Sequence, residues 1–410
     1  MNNTPELLSP AGDLDKMRFG IAYGADAVYM AGTRFGMRAA ATNFDDNALR
    51  EGIAYAHAHG VKCYITVNIM PSNRDLPALP AYLELLQDAG ADALIIADVG
   101  VLRMARRYAP RVPVHISTQT SILNHEAANY WADEGAERIV LARELSLEEI
   151  AEIRAKTPKE LEIEAFVHGA MCISYSGRCL ISQYMTGRDA NHGACAQPCR
   201  WNYSLMEEKR PGQFFPVEED GRGTYLYNSK DMCMIEHVPE LIKAGITSFK
   251  IEGRNKTAYY AACVTGAYRA AIDTYKKDPE NFVLPQFCRD EVNKVSHREY
   301  YTGFYFGNQE NGQHYGDSQY IREYEVVGMP VECDDSGKAV FALKNRFFDG
   351  EELELIQPGQ APYVFRAENV TDDEGTKREL FNVPQMRVHF VFPFKVSEWA
   401  ILRKAKERPE

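Results

Sequence analysis

The chain has 410 residues, with 58 acidic and 46 basic residues and a formal net charge of −12. This acidic balance argues against a general nucleic-acid binder, whose electrostatic footprint is basic, but it leaves room for a local basic patch. The length exceeds one ordinary core, so we expect one large and one smaller domain. The first residues carry no basic-then-apolar signal, and no apolar run reaches the roughly 18 residues that span a bilayer. The sequence therefore predicts a cytoplasmic protein with no membrane partner.

The first 260 residues alternate short apolar, β-branched runs with amphipathic helical stretches. Eight such β-then-α units predict an α/β fold, a (β/α)8 TIM-like barrel, over residues 1–275. The predicted strands are 6–8, 27–31, 63–68, 93–98, 114–118, 138–141, 163–168 and 248–252, and helical stretches include 45–59, 76–89, 126–134 and 146–155. An open doubly wound sheet is the alternative, but no Gly-x-Gly-x-x-Gly follows the first strand, so nothing supports a dinucleotide site.

Five of the nine cysteines fall between Cys172 and Cys233, where an even spread would put roughly one or two. Their spacing, C-x6-C-x15-C-x3-C-x33-C, is too loose for the paired C-x2-C knuckles of a structural zinc site. Loops can carry thiolates to an iron–sulfur cluster, and in a reducing cytosol clustered cysteines indicate metal or reactive thiols rather than disulfides. A zinc site with a spare thiol, or a set of small buried thiols, would also fit. We expect a cysteine-rich insertion at about 168–235.

Barrel enzymes work from the carboxyl ends of their strands, so polar residues at those positions are candidate site residues. We expect catalytic roles for His168, Lys250 and Glu252. The expected substrate-binding residues are Arg38, Asn68, Gln119, Arg143 and Arg254. Any single one of them, like Asp98 and Glu144 in the same set, could instead be a helix cap or a partner in a solvated salt bridge. His168 directly precedes Gly169 and the first clustered cysteine, so it would orient a substrate, donate to a cluster sulfur or merely cap the turn.

Beyond the barrel, the pattern predicts a helix at 259–277, a helical connector over 276–318 and a small antiparallel β-barrel domain over 319–400, followed by a tail at 401–410. Its predicted strands are 324–331, 338–343, 352–356, 363–370 and 386–392, separated by Asp- and Gly-rich hairpin turns. This domain would grip a substrate, or it would serve dimerisation or capping. The chain is compatible with a homo- or hetero-oligomer.

The chain resembles the U-32 peptidase family, often labelled collagenase-like. The resemblance is carried by ELLSPAG at 6–12, GADAVY at 24–29, FVHGAMCISYSGRC at 166–179, GRDAN at 187–191, CAQPCRW at 195–201 and KIEGR at 250–254. Within the family, the chain is most similar to the branch that hydroxylates the wobble uridine of tRNA to 5-hydroxyuridine, without molecular oxygen and with dependence on prephenate. In related branches, which hydroxylate ribosomal RNA or the ubiquinone ring, four cysteines hold a four-iron four-sulfur cluster.

The resemblance implies a cluster held by Cys172, Cys179, Cys195 and Cys233, with Cys199 as the alternative to Cys233. It also implies tRNA as partner and a prephenate-like dicarboxylate as co-substrate. Arg38, Arg143 and Arg254 would bind the carboxylates, because the arginine fork matches a carboxylate. The residues expected to bind RNA are Arg178, Arg188 and Arg200, which would meet phosphate, and Trp201, which would stack on an unpaired base.

The family name also implies a hydrolase, and the residues offer little for one. No Gly-x-Ser-x-Gly elbow is present, and the stretch His125-Glu126-Ala127-Ala128-Asn129 has Asn where a zinc protease has its second His. A cysteine nucleophile with His168 as its base is conceivable, but a cysteine protease needs only one activated thiol. RNA hydroxylation is therefore the first hypothesis, a peptidase the second and a noncatalytic iron–sulfur partner protein the third.

Overall fold

The structure is a computed structural model that describes residues 4–37, 42–172, 174–201, 204–206, 214–216, 230–307 and 320–406. Eight parallel strands form a closed barrel, since the last of them pairs with both the seventh and the first. The expected TIM-like barrel is thus confirmed. Its strands are β1 Glu6–Pro10, β2 Ala27–Met30, β3 Lys62–Val67, β4 Ala93–Ile96, β5 Val114–Ile116, β6 Arg138–Val140, β7 Glu162–Ala170 and β11 Ser248–Ile251.

Helices surround the barrel, and capping side chains begin most of them. The helices are α1 Leu14–Ala22, α2 Asp46–Ala58, α3 Leu79–Asp88, α4 Val99–Tyr108, α5 His125–Asp133, α6 Leu147–Ala155, α7 Ile181–Thr186, α8 Val238–Lys243, α9 Ala258–Lys277 and α10 Gln286–Asn293. Side chains that accept a first-turn backbone N–H are those of Asp13, Asp45, Asp98, Asn124, Ser146 and Thr257. Asp98 therefore has the capping role that was the alternative to a site role. No helix in the described ranges is long and apolar enough to cross a membrane.

The strands bury side chains on both of their faces. Outward-facing apolar residues pack against the helices in the main core. Inside the barrel, a smaller cluster contains Leu8, Ala27, Tyr29, Tyr64, Ala93 and Ile95. Parallel strands covered on both faces are expected to read as nearly continuous apolar runs, which is why the sequence reveals the barrel strands so readily.

A buried ion-pair network fills the amino-terminal end of the barrel. Its members Glu6, Arg138 and Glu162 are each the first residue of their strand. The Arg138 guanidinium donates to Glu6 at 2.6 Å, to Glu164 at 3.0 Å and to Glu162. Burial alone would raise the pKa of Glu6, but the charge and hydrogen bond of Arg138 hold that pKa below its usual value. The positive charge of Arg138 is thus neutralised by carboxylates of the barrel itself.

The residues between the barrel's seventh and eighth strands include the clustered cysteines, and we call 171–233 the cysteine segment. It ends in strand β10 Asp231–Cys233, which runs antiparallel to β7 and pairs Asp231 with Ala170 and Cys233 with His168. Strand β12 Tyr300–Tyr301 then pairs with β10. Within the segment, β8 Ser204–Met206 and β9 Phe214–Pro216 form a hairpin. The segment therefore starts and finishes on one ladder at the carboxyl-terminal rim of the barrel.

The C-terminal domain is a seven-stranded antiparallel sheet, in the order β17-β16-β21-β13-β14-β20-β18. A second, two-stranded pairing joins β15 to β19. The expected small antiparallel β domain is confirmed. Its strands are β13 Tyr324–Cys333, β14 Lys338–Leu343, β15 Phe347–Phe348, β16 Glu352–Ile356, β17 Tyr363–Arg366, β18 Thr371–Asp372, β19 Leu380–Phe381, β20 Arg387–Val391 and β21 Ile401–Ala405.

The chain end corrects one predicted boundary. Residues 401–405, which the sequence assigns to a tail, form strand β21 in the middle of this sheet, between β13 and β16. Arg403 hides the strand from pattern analysis, because a charged residue interrupts its apolar run. The structure buries that side chain completely and pairs it with Glu291 and Glu354. Since Glu291 belongs to α10, this cluster also fixes the C-terminal domain to the barrel side of the molecule.

Candidate active site

A cavity of about 90 Å³ opens at the carboxyl-terminal rim of the barrel. Six of the residues predicted at strand carboxyl ends line it: Asn68, Gln119, Arg143, Lys250, Glu252 and Arg254. The wall also includes Tyr29, Thr66, Ser117, Phe166, and Cys172, Ser176 and Gly177 of the cysteine segment. All of these residues belong to the barrel or to the cysteine segment, none to the C-terminal domain.

Arg143 is a buried cation whose hydrogen-bond partners are neutral. It lies three residues beyond the end of β6 and is 7% exposed. Its guanidinium donates to the backbone oxygen of Ala170 at 2.9 Å and to Ser176 Oγ at 2.8 Å, and its charged plane lies 5.0 Å from the Phe166 ring centre. In the described part of the chain, no carboxylate forms an ion pair with Arg143. A buried charge is costly without an opposite charge, so this position favours an anionic ligand.

Two further cations lie on the same wall. Arg254 is 3% exposed, and its partners include the backbone oxygen of Met37 and Thr66 Oγ1 at 3.4 Å. Lys250 donates to Glu164 Oε1 at 2.6 Å, and its Nζ lies 4.5 Å from the centre of the Tyr29 ring. Glu164 also accepts from Arg138, so it links the cavity to the network at the other end of the barrel.

Asn68 and Gln119 form an oriented pair of amides on the cavity wall. The backbone N–H of Met37 donates to Asn68 Oδ1 at 3.2 Å, and Asn68 Nδ2 donates to Gln119 Oε1 at 2.6 Å. Ser117 Oγ lies 3.2 Å from the same Gln119 oxygen. Gln119 is 3% exposed, and its Nε2 has no hydrogen-bond partner among the described residues.

Glu252 brings a carboxylate to the cavity wall directly after β11. Its backbone N–H donates to the His168 carbonyl oxygen at 2.9 Å. The neighbouring Gly169 has φ +109°, and a Cβ there would lie 2.5 Å from the Glu252 carbonyl oxygen. Only glycine permits this close approach of β7 to the chain after β11, so Gly169 positions Glu252.

His168 departs from its expected place. It is 1% exposed and is not part of the cavity wall. Its ring lies among those of Tyr260, Tyr268 and Tyr300, at centroid distances of 5.9, 5.6 and 5.2 Å. Burial, with smaller contributions from His297 and Lys256, lowers the pKa of His168 to about 3. A neutral, enclosed imidazole is not placed to act as a general base on a ligand in the cavity.

The clustered cysteines are distributed over the segment. Cys172 is exposed and lines the cavity, whereas Cys179, Cys195, Cys199 and Cys233 are half-buried. In the described ranges, no three His, Cys, Asp or Glu side chains are grouped so as to hold a metal ion. The thiols therefore have the chemistry of cluster ligands, but their positions do not converge on one point. Cys233, opposite His168 on the ladder, lies beside the Tyr268 side chain, and burial raises the pKa of its thiol to about 12.

The predicted RNA-binding residues lie on the surface of the cysteine segment. Arg178, Arg188 and Trp201 are exposed, and Arg200 lies in the turn before Trp201, with its side chain outside the described part. The structure adds Leu180, Tyr184 and Met185, which are 52%, 84% and 52% exposed. Sequence reasoning missed these three, although a tyrosine and a methionine next to each other in a polar, cysteine-rich stretch were a usable signal.

Other site residues were also missed. Thr66, Ser117 and Ser176 line the cavity, and Glu164 holds Lys250. A glutamate inside an otherwise apolar predicted strand was the available signal for Glu164, since a buried carboxylate needs a partner. Glu144, predicted at the rim, is absent from the wall, and burial raises the pKa of its carboxyl. Arg38 lies outside the described residues.

The chain is similar in sequence to known proteins over nearly its whole length. The model of the family described as peptidase family U32 matches residues 12–315, and that of the U32 C-terminal domain matches 322–403. A Bacillus subtilis protein named tRNA hydroxylation protein P1 is 38% identical over 98% of this chain and 95% of its own. The Escherichia coli tRNA hydroxylation protein P is 38% identical over 90% of each chain. The Escherichia coli 23S rRNA 5-hydroxycytidine C2501 synthase is 40% identical over 80% of this chain and 48% of its own.

Proposed function

Since the chain belongs to peptidase family U32, and its full-length relatives are named for tRNA hydroxylation, we propose that it is an RNA-modifying hydroxylase acting on tRNA in the cytoplasm. The finer proposal is that it converts the wobble uridine to 5-hydroxyuridine. It does so without molecular oxygen and with a prephenate-like dicarboxylate as co-substrate.

The observation that carries this proposal is the electrostatics of the Arg143 position. A buried guanidinium whose hydrogen-bond partners among the described residues are a backbone oxygen and a hydroxyl gains most when a carboxylate enters the cavity. Arg254, on the same wall, offers a second fork for the other carboxylate.

The cavity also suits the chemistry of hydroxylation. Replacing C5–H of uracil by C5–OH is a two-electron oxidation. The co-substrate must therefore accept the electron pair while water supplies the oxygen, or deliver oxygen already at that oxidation level. We assign to the Glu252 carboxylate the acceptance of the proton that leaves C5, because it lines the cavity. Lys250, held by Glu164, stabilises negative charge that develops on the pyrimidine.

The exposed face of the cysteine segment is the proposed tRNA contact. Arg178 and Arg188 would meet phosphates, while Trp201 and Tyr184 supply flat rings for unpaired bases. Reversing both arginine charges, in Arg178→Glu with Arg188→Glu, should weaken tRNA binding and flatten its salt dependence. Arg106→Glu is the matched control, because Arg106 is an exposed arginine on α4. Equal losses in the two proteins would contradict the assignment.

The proposed cofactor is a four-iron four-sulfur cluster held by Cys172, Cys179, Cys195 and Cys233, with Cys199 as the alternative ligand. The donor chemistry supports it, since the described cysteines form no disulfide and soft thiolates are the ligands that such clusters use. The separated thiol positions do not support it, so we derive no reaction step through the cluster.

Iron analysis of protein purified without oxygen tests the cofactor. Brown protein that bleaches with dithionite and loses its iron in Cys172→Ala or Cys179→Ala is the expected result. Cys333→Ala is the matched control, since Cys333 is an exposed thiol like Cys172 but lies in the C-terminal domain. Colourless protein with stoichiometric zinc, or iron retained in the first two variants, would refute the assignment.

Nucleoside mass spectrometry of total tRNA tests the activity. Deleting the gene should remove 5-hydroxyuridine and nucleosides derived from it, and anaerobic purified protein with prephenate should restore 5-hydroxyuridine. Unchanged tRNA in the deletion strain, together with peptide cleavage by the purified protein, would establish a peptidase instead. Unchanged tRNA without cleavage, but with stable co-purification of another enzyme, would indicate a noncatalytic partner.

A further inference from the structure

We infer that Gln119 selects uracil over cytosine in the cavity, by donating a hydrogen bond from its Nε2 to O4 of the target base. This inference rests on the proposed function and names the group that reads the base. It makes Gln119 a specificity-determining residue rather than a general contact to substrate.

The orientation of the Gln119 amide follows from a chain of donors. A backbone N–H can only donate, so the N–H of Met37 places the oxygen of the Asn68 amide towards itself. The Asn68 nitrogen must then face Gln119, and it donates to Gln119 Oε1 at 2.6 Å. The Gln119 nitrogen is therefore on the opposite side of its amide, and it lacks a hydrogen-bond partner among the described residues.

A buried donor without a partner is uncommon in folded proteins and invites a ligand. Gln119 is only 3% exposed, and it belongs to the cavity wall. Gly177 of the cysteine segment covers the stem of the side chain, with a hypothetical Cβ only 3.3 Å from Gln119 Cβ and Cγ. The Gln119 side chain is thus in contact with Asn68 at its amide and with Gly177 at its stem.

The two pyrimidines differ in the group attached to C4. Uracil presents a carbonyl oxygen there, which accepts a hydrogen bond, whereas cytosine presents an amino group, which donates. A fixed N–H donor forms a hydrogen bond with the uracil oxygen, whereas it faces another donor in the cytosine amino group. The C4 position adjoins C5, so a hydrogen bond at O4 also aligns the carbon that receives the hydroxyl group. A contact to O2 would not discriminate, since both bases have that carbonyl.

Gln119→Glu isolates this contact. The substitution keeps an oxygen acceptor for Asn68 and Ser117, replaces the unpartnered nitrogen by a second oxygen and adds a negative charge, which the Gln87→Glu control also adds. We measure kcat/KM of the full-length protein on two anticodon stem–loops that differ only in uridine or cytidine at the wobble position. The wild type should prefer uridine by at least about 100-fold, and Gln119→Glu should lower uridine turnover by about 10- to 100-fold and bring the two substrates within about 5-fold.

Three controls keep the result interpretable. Gln119→Met, which removes both donor and acceptor, should lose uridine turnover without gaining cytidine turnover. Gln87→Glu makes the same chemical change in an amide on α3, away from the cavity, and should leave the preference intact. A stem–loop with pyrimidin-2-one riboside, which lacks O4, should bind the wild-type protein about 10-fold more weakly than the uridine form, whether or not any variant folds.

The outcomes separate this inference from the proposed function. A wild-type protein that hydroxylates neither stem–loop counts against the proposed function. A wild type that hydroxylates uridine, combined with an unchanged preference in folded Gln119→Glu or undiminished binding of the pyrimidin-2-one form, overturns the role of Gln119 alone.

Discussion

The two ends of the barrel hold buried arginines in opposite electrostatic surroundings. At the amino-terminal end, Arg138 is in contact with three glutamates. At the carboxyl-terminal end, the hydrogen bonds of Arg143 go to a backbone oxygen and a serine hydroxyl. Both side chains are at least nine-tenths buried. Burial therefore does not distinguish a structural charge from a functional one, whereas the charge of the partners does.

The two arginines differ in the groups that neutralise their positive charge. Arg138 completes its ion pairs within the chain, so the folded state alone satisfies it. Arg143 forms no ion pair among the described residues, so on our proposal an anion in the cavity completes its neutralisation. Substitutions at the first position should therefore act on folding, and substitutions at the second on binding.

The largest effect is expected for Arg138→Met. Removing this cation takes the guanidinium from the carboxylates of Glu6 and Glu164, of which Glu164 keeps its ion pair with Lys250. The loss should lower the free energy of unfolding by about 3–5 kcal/mol. Denaturant titration measures this value. Arg143→Met is the matched control, because Arg143 forms no ion pair with a carboxylate among the described residues, and its loss should be clearly smaller. Equal losses would remove the distinction between the two ends.

Arg143→Lys should impair co-substrate binding while leaving iron content and the midpoint of thermal unfolding unchanged. Lysine keeps the positive charge but lacks the planar fork, so prephenate affinity should fall by about 10- to 150-fold, or about 1.5–3 kcal/mol. Calorimetric titration measures it, and Arg254→Lys should behave alike. A destabilised protein with unchanged affinity would make these arginines structural and would direct the search for the carboxylate site to Arg38.

A smaller effect concerns acid. Because the folded-state pKa of Glu6 lies below its usual 4.5, Glu6 contributes stability that is present above about pH 4.5 and is lost as the pH falls through the lowered pKa. The stability difference between the wild type and Glu6→Gln, measured in urea, should therefore shrink as the pH falls from 6 towards 3. A constant difference over that range would show that the Glu6 charge does not stabilise the fold.

The smallest effect is expected at the surface. Arg106 and Glu134 lie 2.8 Å apart, with side chains 47% and 38% exposed. Arg106→Ala should change the free energy of unfolding by no more than about 0.5 kcal/mol, because water and salt screen such a pair. A loss comparable to that of Arg138→Met would show that exposure, like burial, fails to predict the importance of an ion pair.

The architecture was predictable because its signals are local. Apolar strands alternate with capped helices, and strands β14 and β16 have the bounds that the pattern predicts. Strand β21 was not predictable, because Arg403 is stabilised by Glu291, more than a hundred residues away in the sequence. The Arg138 network was hidden for the same reason, since its glutamates come from β1 and β7, strands other than that of Arg138.

The site was predictable in part. The rule that barrel sites lie at strand carboxyl ends found six wall residues, since strand ends are a local property. It misplaced His168, which also follows a long apolar run, because side-chain direction depends on the pairing of β7 with β10 and on three tyrosines contributed by later parts of the chain. The positions of the thiols likewise depend on contacts that no spacing reveals.

The ladder between β7 and β10 places the two ends of the cysteine segment beside each other, with Ala170 opposite Asp231. For the barrel, the whole segment is therefore equivalent to one long connection between two paired strands. Each doubling of the length of such a connection costs only about 0.6 kcal/mol in closure entropy. The stability of the barrel should therefore depend little on the length of the segment. Ser176 and Gly177, which contact Arg143 and Gln119, tie only the first part of the segment to the cavity, so changes of length should be tolerated best in the part of the segment that follows them.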